Sequence, residues 1–202
     1  LADCLDSMKK QDYDGAFEIV VADNGSTDRT AEIARSFGAR VIPCFEQKSV
    51  FYARQKGALA ASGDIIIQAD ADTIYPHDWL TRIVRQFSKH PEAVAIAGRF
   101  FYQDPPWWAR LEYGLRHAVN TAAKLLLRRP VVISGANFAF RRSVFLSLGG
   151  YEGLDYAADQ WGIAARLSKV GKIVYDKDVS AFTSARRVQK SFLRILLDLA
   201  VN

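Results

Sequence analysis

The stretch Gly63-Asp64-Ile65-Ile66-Ile67-Gln68-Ala69-Asp70-Ala71-Asp72-Thr73 decides how this chain is read. Ile65 to Ile67 is a short β-branched apolar run, the pattern of a strand buried on both faces. Gly63 and Asp64 precede it as a turn, and Asp70 and Asp72 follow at its carboxyl end. Ligands of open α/β sheets bind just beyond the carboxyl ends of the strands. Residues two apart on extended chain point the same way, so both carboxylates can face one ion. Hard cations such as Mg2+ or Mn2+ take one or two carboxylates and complete their shell with phosphate oxygens. The spacing therefore fits a metal–diphosphate site, and equally a loop with two solvated acids. The surrounding sequence has to decide between them.

At 202 residues the chain suits one domain with a sizeable core. Half of it is apolar and 24% is charged, as in an ordinary globular protein. The net charge of +5 and pI near 9.2 fit an anionic substrate or an acidic membrane surface. No basic run is dense enough to select nucleic acid, and none is expected as a partner. Cys4 and Cys44 have no CxxC spacing and no nearby histidine, which argues against zinc. His77, His90 and His117 are scattered singly and read as surface or structural groups. No signal-peptide pattern and no apolar run of bilayer length is read here. The expected location is cytoplasmic, with the inner face of a membrane as its extension.

Outward from the opening stretch, apolar periodicity alternates between helix and strand. Residues 1–10 have helical spacing, so the chain begins in a helix where an α/β unit normally places a strand first. Residues 18–22 read as a strand, and Ser26 or Thr27 caps a helix over 29–37. A strand follows at 40–42, and then a helix over 48–61 with a face of Ala53, Gly57, Ala60 and Ala61. After the aspartates come a helix opened by Pro76, with Trp79, Ile83, Val84 and Phe87 as its apolar stripe, and a strand at 94–98. Residues 107–129 form a long basic helical candidate, fit either to lie on a membrane or to pack on the domain. Strands are read at 131–133 and 138–140, short helices at 141–148 and 159–169, and a late strand at 172–175. An amphipathic helix is read over 191–201. The β-α-β order predicts a mostly parallel central sheet flanked by helices.

The order of motifs is more specific than any one of them. Val20-Val21-Ala22-Asp23-Asn24-Gly25-Ser26-Thr27-Asp28 resembles the first nucleotide-binding signature of family 2 glycosyltransferases, which have the GT-A (Rossmann-like) fold. Ala53-Arg54-Gln55-Lys56-Gly57 and Ala60-Ala61-Ser62-Gly63-Asp64 resemble the family's next helix and turn. Asp70-Ala71-Asp72 matches its Asp-x-Asp motif. Ser134-Gly135-Ala136-Asn137, Arg141-Arg142 and Gly149-Gly150-Tyr151 resemble its acceptor-side segment. Asp159-Gln160-Trp161-Gly162-Ile163-Ala164-Ala165-Arg166-Leu167 falls where the family opens a helix on an acidic pair. The likeness spans residues 1–187: a nucleotide-binding half over about 1–98, an acceptor-side half over about 99–187, and the terminal helix at 188–202 beyond it.

The resemblance implies an inverting transfer from a nucleotide-diphosphate sugar, a UDP-sugar first, to a carbohydrate or lipid-linked acceptor, with Mg2+ or Mn2+. Asp23 would bind the nucleobase, with Asn24 beside it and Arg54 near the diphosphate. Asp70 would lie near ribose and metal, and Asp72 would be the direct metal ligand. Asp159 would be the general base, with Asp155 as the fallback, because the acidic pair is reduced here to one acid. Gly135, Asn137 and Trp161 would line the acceptor side, and Arg186 and Arg187 the diphosphate. The division is chemically sound: cation and base work on opposite sides of the sugar, one on the leaving diphosphate and one on the acceptor hydroxyl. The reduced acidic pair leaves open a non-catalytic sugar-nucleotide or membrane-associated binding domain of the same fold. A sugar nucleotidyltransferase is the third reading.

Overall fold

The computed structural model describes residues 1–107, 134–154 and 159–189, with isolated positions 109, 114, 118, 119 and 122. Side chains at 159–161 and 187 are outside that description. Isolated positions apart, so are the basic helix expected over 107–129, the strand at 131–133, Asp155 and the helix at 191–201.

Helix α1 (Ala2–Lys9) precedes strand β1 (Val20–Asp23), helix α2 (Thr30–Ser36) and strand β2 (Arg40–Pro43). Helix α3 (Val50–Ala60), strand β3 (Ile65–Gln68), strand β4 (Thr73–Ile74) and helix α4 (Trp79–Lys89) follow. Strand β5 (Ala93–Gln103), strand β6 (Phe138–Arg141) and helix α5 (Arg142–Ser147) come next. Helix α6 (Asp159–Leu167), strand β7 (Lys172–Ser184) and a 3-10 turn (Ala185–Arg187) complete the described chain.

β1 and β2 pair in parallel as a two-stranded sheet, the geometry expected of a β-α-β unit. The larger sheet has five strands in the order β3-β6-β5-β7-β4. It is mixed rather than mostly parallel. Only β5–β7 runs parallel, whereas β3–β6, β5–β6 and β4–β7 are antiparallel. Hydrophobic periodicity reveals that a strand exists but not its direction. Because β6 opposes β5, the connection over 104–137 starts and finishes at the same end of the sheet, with no crossover to restore parallel pairing.

Two cores cover the faces of this sheet. Phe138 and Phe140 of β6 join Phe51, Phe145, Ile163 and Leu167 on one side. Ala139 faces the other side with Ile96, Trp79, Ile83 and Phe87. α4 buries Trp79, Leu80, Ile83 and Phe87, so Leu80 replaces Val84 in the expected stripe. The small face of α3 does what its residues suggest: a Cβ built on Gly57 would stand 3.4 Å from the Ala22 Cβ of β1.

β5 and β7 are far longer than the 94–98 and 172–175 expected. Their ladder jumps from Gly98↔Asp176 to Arg99↔Ser180, so residues 177–179 bulge out before pairing resumes to Gln103↔Ser184. The expected strand stops before the polar run Asp176-Lys177-Asp178, yet that run leads into a bulge inside a strand. Gly98 sits at that jump, where a Cβ would collide with the Asn137 amide and the Val179 carbonyl. Gly98→Ala should therefore destabilise the fold by about 1–3 kcal/mol, read as a lower urea midpoint with unchanged slope.

Candidate functional site

Residues 69–72 carry the chain from edge strand β3 to the opposite edge strand β4. Asp70 and Asp72 therefore lie across the end of the sheet, both half-buried. The crossing is tied down from inside. The Asp70 N–H donates to Tyr75 Oη at 3.1 Å, and that hydroxyl donates to the Ala136 carbonyl at 3.0 Å. The Asp70 carbonyl accepts the Thr73 N–H at 3.2 Å and faces the Cys4 thiol at 3.5 Å. On the far side the Asp72 carbonyl accepts the Ser184 N–H at 3.0 Å. One loop is thus bonded to α1, to the turn before β6 and to the end of β7.

Each aspartate meets an arginine. Arg54 Nη2 of α3 donates to Asp70 Oδ1 at 3.4 Å. Arg186 Nη2 donates to Asp72 Oδ2 at 2.6 Å. Among the described residues no three His, Cys, Asp or Glu side chains converge on one point. Two accessible carboxylates without further protein ligands suit a hard cation that takes its remaining oxygens from a diphosphate and water. The donor set therefore fits Mg2+ or Mn2+, and suits neither zinc nor copper.

The nucleotide-side candidates stand at the carboxyl end of β1. Asp23 is only 6% exposed and its Oδ1 accepts the Ser26 N–H at 2.9 Å. The Asp23 carbonyl accepts the Cys44 N–H at 2.8 Å. Asn24, with its amide nitrogen turned inward, donates to the Gln47 and Cys44 carbonyls at 2.9 and 3.0 Å. These bonds join the loops after β1 and β2. Asp28 lies just before α2 and its Oδ1 accepts the Thr30 N–H at 3.0 Å; the first-turn acid is Glu32, and the N-cap is Arg29 rather than Ser26 or Thr27. Lys56 lies 5.2 Å from the Tyr52 ring centroid.

Asn137 lies inside the protein, 1% exposed. Its Oδ1 accepts Trp79 Nε1–H at 2.9 Å, and its Nδ2 donates to the Arg99 and Val179 carbonyls at 2.7 and 3.0 Å. Every strong position on that amide is filled by protein, so Asn137 props up the turn from below. Gly135 is buried in the same turn. Asp159 and Trp161 stand in the first turn of α6, and their side chains lie outside the described residues, as does that of Arg187. Arg186 is in the 3-10 turn after β7.

Tyr75, Cys4 and Ser184 escape a sequence reading because each acts through contacts with residues distant in sequence, without a motif. Tyr75 is 2% exposed, and burial holds its phenol protonated, well above the ordinary value. Burial likewise pushes the Cys4 thiol up from 9.0 to about 11. Gln68 Nε2 donates to the Tyr151 hydroxyl, and the Tyr151 N–H donates to Gln55 Oε1 at 2.9 Å. The Gly149-Gly150-Tyr151 segment is thereby fastened beneath the aspartate loop.

A family profile described as Glycosyl transferase family 2 matches residues 1–149. A glucosyl-dolichyl phosphate glucuronosyltransferase of Haloferax volcanii is 27% identical over 162 residues, covering 75% of this chain and 50% of the relative. An N-acetylglucosaminyltransferase of Rhizobium leguminosarum bv. viciae is 30% identical over 162 residues, covering 73% of this chain and 37% of the relative. The chain thus spans half or less of these curated relatives. Among solved structures, the mannosyltransferase PcManGT of Pyrobaculum calidifontis, in complex with GDP-Man and Mn2+, has TM-score 0.68 and 23% identity. That match covers 89% of this chain and 51% of PcManGT. Glucosyl-3-phosphoglycerate synthase of Mycobacterium tuberculosis, in complex with Mn2+, UDP and glucosyl-3-phosphoglycerate, has TM-score 0.53 and 22% identity. That match covers 89% of this chain and 66% of the synthase. These likenesses give the expected GT-A fold, a central sheet flanked by helices. Among the described residues no helix is long and apolar enough to cross a membrane.

Two predictions concern the loop's anchors. Tyr75→Phe should cost about 1–3 kcal/mol in chemical denaturation, since the Asp70 N–H and Ala136 carbonyl lose their partner. Cys4 has a raised folded pKa, so its contribution is intact below pH 9 and falls away as pH rises towards 11. Two units correspond to about 2–3 kcal/mol. Melts from pH 8 to 11 should show a steeper alkaline loss of stability in wild type than in Cys4→Ala.

Proposed function

This chain belongs to glycosyl transferase family 2, and from that premise we propose that it transfers a sugar from a nucleotide-diphosphate sugar to an acceptor hydroxyl with inversion. A UDP-sugar is the proposed donor. The observation that carries this reading is the half-buried Asp70–Asp72 pair held across the sheet end, with an arginine on each carboxylate. Mn2+ with GDP-Man or with UDP in two proteins of the same fold supports a divalent ion and a nucleotide here. The glucosyl-dolichyl phosphate in the name of the Haloferax relative supports a lipid-linked acceptor beside the carbohydrate one. Contact with a membrane surface is part of that proposal.

In this mechanism Asp72, with Asp70, would hold Mg2+ or Mn2+. Bound there, the ion neutralises charge developing on the leaving diphosphate. Asp23 and Asn24 flank the nucleoside at the end of β1. Arg54 pairs with Asp70 and adds positive charge beside the diphosphate, and Arg186 and Arg187 are the proposed cations for its other side. Gly135 and Trp161 are the proposed acceptor-side residues, and Asn137 positions the turn that carries Gly135. Asp159 accepts the proton of the acceptor hydroxyl as its oxygen bonds to the anomeric carbon and the bond to the diphosphate breaks. Attack from the face opposite the leaving group inverts that carbon.

Calorimetric titration with UDP tests the reading, with and without Mn2+, on wild type, Asp72→Ala and Asp159→Asn. Binding should need Mn2+, vanish in Asp72→Ala and survive in Asp159→Asn. Turnover of a UDP-sugar should fall about 10²–10⁴-fold in Asp159→Asn. Mn2+-dependent binding that persists in Asp72→Ala would refute the metal assignment.

A further inference from the structure

Asp72 faces two cations in this scheme, the divalent ion and Arg186. The Arg186 contact at 2.6 Å joins residues 114 apart in sequence, and the backbone delivers it. Thr73 pairs with Thr183, and the Ser184 N–H binds the Asp72 carbonyl at 3.0 Å. Ser184 Oγ then accepts the Arg186 N–H at 3.3 Å, starting the turn that points the arginine at the carboxylate. The Arg186 side chain is nevertheless 76% exposed. Its position is fixed at the root, and most of its side chain stands in water.

We infer that Arg186 is exchanged between Asp72 and the donor diphosphate, so that metal and diphosphate load cooperatively. This rests on the glycosyltransferase reading and goes beyond a plain phosphate contact. A guanidinium on Asp72 Oδ2 repels a dication and occupies one of the oxygens it needs. Arg186 therefore weakens the binding of metal alone. A diphosphate carries more charge than a carboxylate and offers paired oxygens that match the guanidinium fork. It draws Arg186 away, which frees Asp72 for the ion and puts positive charge on the diphosphate. By linkage, diphosphate raises metal affinity by the same factor that metal raises diphosphate affinity. Arg186 thus acts with opposite sign on the two events, which a merely structural arginine could not do.

The test is a Mn2+ titration followed by the electron paramagnetic resonance of the free ion, with and without UDP. It uses the full protein as wild type, Arg186→Gln and Arg186→Lys, with thermal melts to confirm folding. Arg186→Gln should bind Mn2+ alone about 2–5-fold more tightly, the scale of one exposed ion pair. With Mn2+ saturating, the same variant should bind UDP about tenfold more weakly. Arg186→Lys, a point charge without the fork, should fall between wild type and Arg186→Gln in both. Two affinities that move in the same direction overturn the inference, as does an unchanged affinity for Mn2+ alone. The glycosyltransferase reading survives that result if wild type binds UDP only with Mn2+ and Asp72→Ala does not. A wild type that binds neither UDP nor GDP in a Mn2+-dependent way overturns both.

Discussion

The site depends on one topological constraint: residues 69–72 must cross from one edge of the five-stranded sheet to the other. A span so short cannot sag into solvent, and its backbone groups must find partners on the way. Tyr75 supplies the first from below by bonding Asp70 and the turn before β6 together. Ser184 supplies the last at the end of β7. The aspartates need no strain to face outward, because the crossing itself sets them over the strand ends. Exposed Ala69 and Ala71 beside them add no bulk that would block a ligand.

That crossing works only because β7 reaches far enough to meet it. Without the bulge at residues 177–179, the ladder with β5 would run out of register at Gly98. The bulge turns Val179 inward, where its carbonyl accepts one of the two Asn137 amide hydrogens. Asn137 in turn holds Trp79 and the Arg99 carbonyl, and the Trp79 ring lies 4.0 Å from that of Tyr75. Asn137, Trp79 and Tyr75 are all buried, so breaking one of their bonds strands a polar group and costs more than the bond alone suggests. Gly98, Asn137, Trp79 and Tyr75 form one continuous support, although none of them bears a charge.

How much of this is legible in the sequence depends on the kind of signal. Strand β3 and its two aspartates are plain, because β-branched residues and a following acidic pair are local features. Helix α4 is plain from its periodicity, and the close packing of α3 on β1 from Gly57 and Ala22. Strand direction is not legible, since antiparallel β6 has the same apolar pattern as a parallel strand. The second half of β7 is hidden by Asp176-Lys177-Asp178, whose charges belong to a bulge. Asn137 draws attention as a motif residue, but its filled amide gives it a supporting place instead of a surface one. Tyr75 carries no signal, because its role comes from meeting Ala136, 61 residues away.

Electrostatics completes the argument. Two like charges on one short loop repel each other. An arginine on each carboxylate balances that charge. The two arginines are not equivalent. Arg54 rises from α3 with its side chain only 19% exposed, which suits a fixed counter-charge. Arg186 leaves a backbone turn with most of its side chain in water, which suits a movable one. A fixed charge sets the resting potential of the site, and a movable charge lets that potential respond to an anion. The asymmetry follows from where the two elements end: α3 lies under the loop, and β7 stops at its rim.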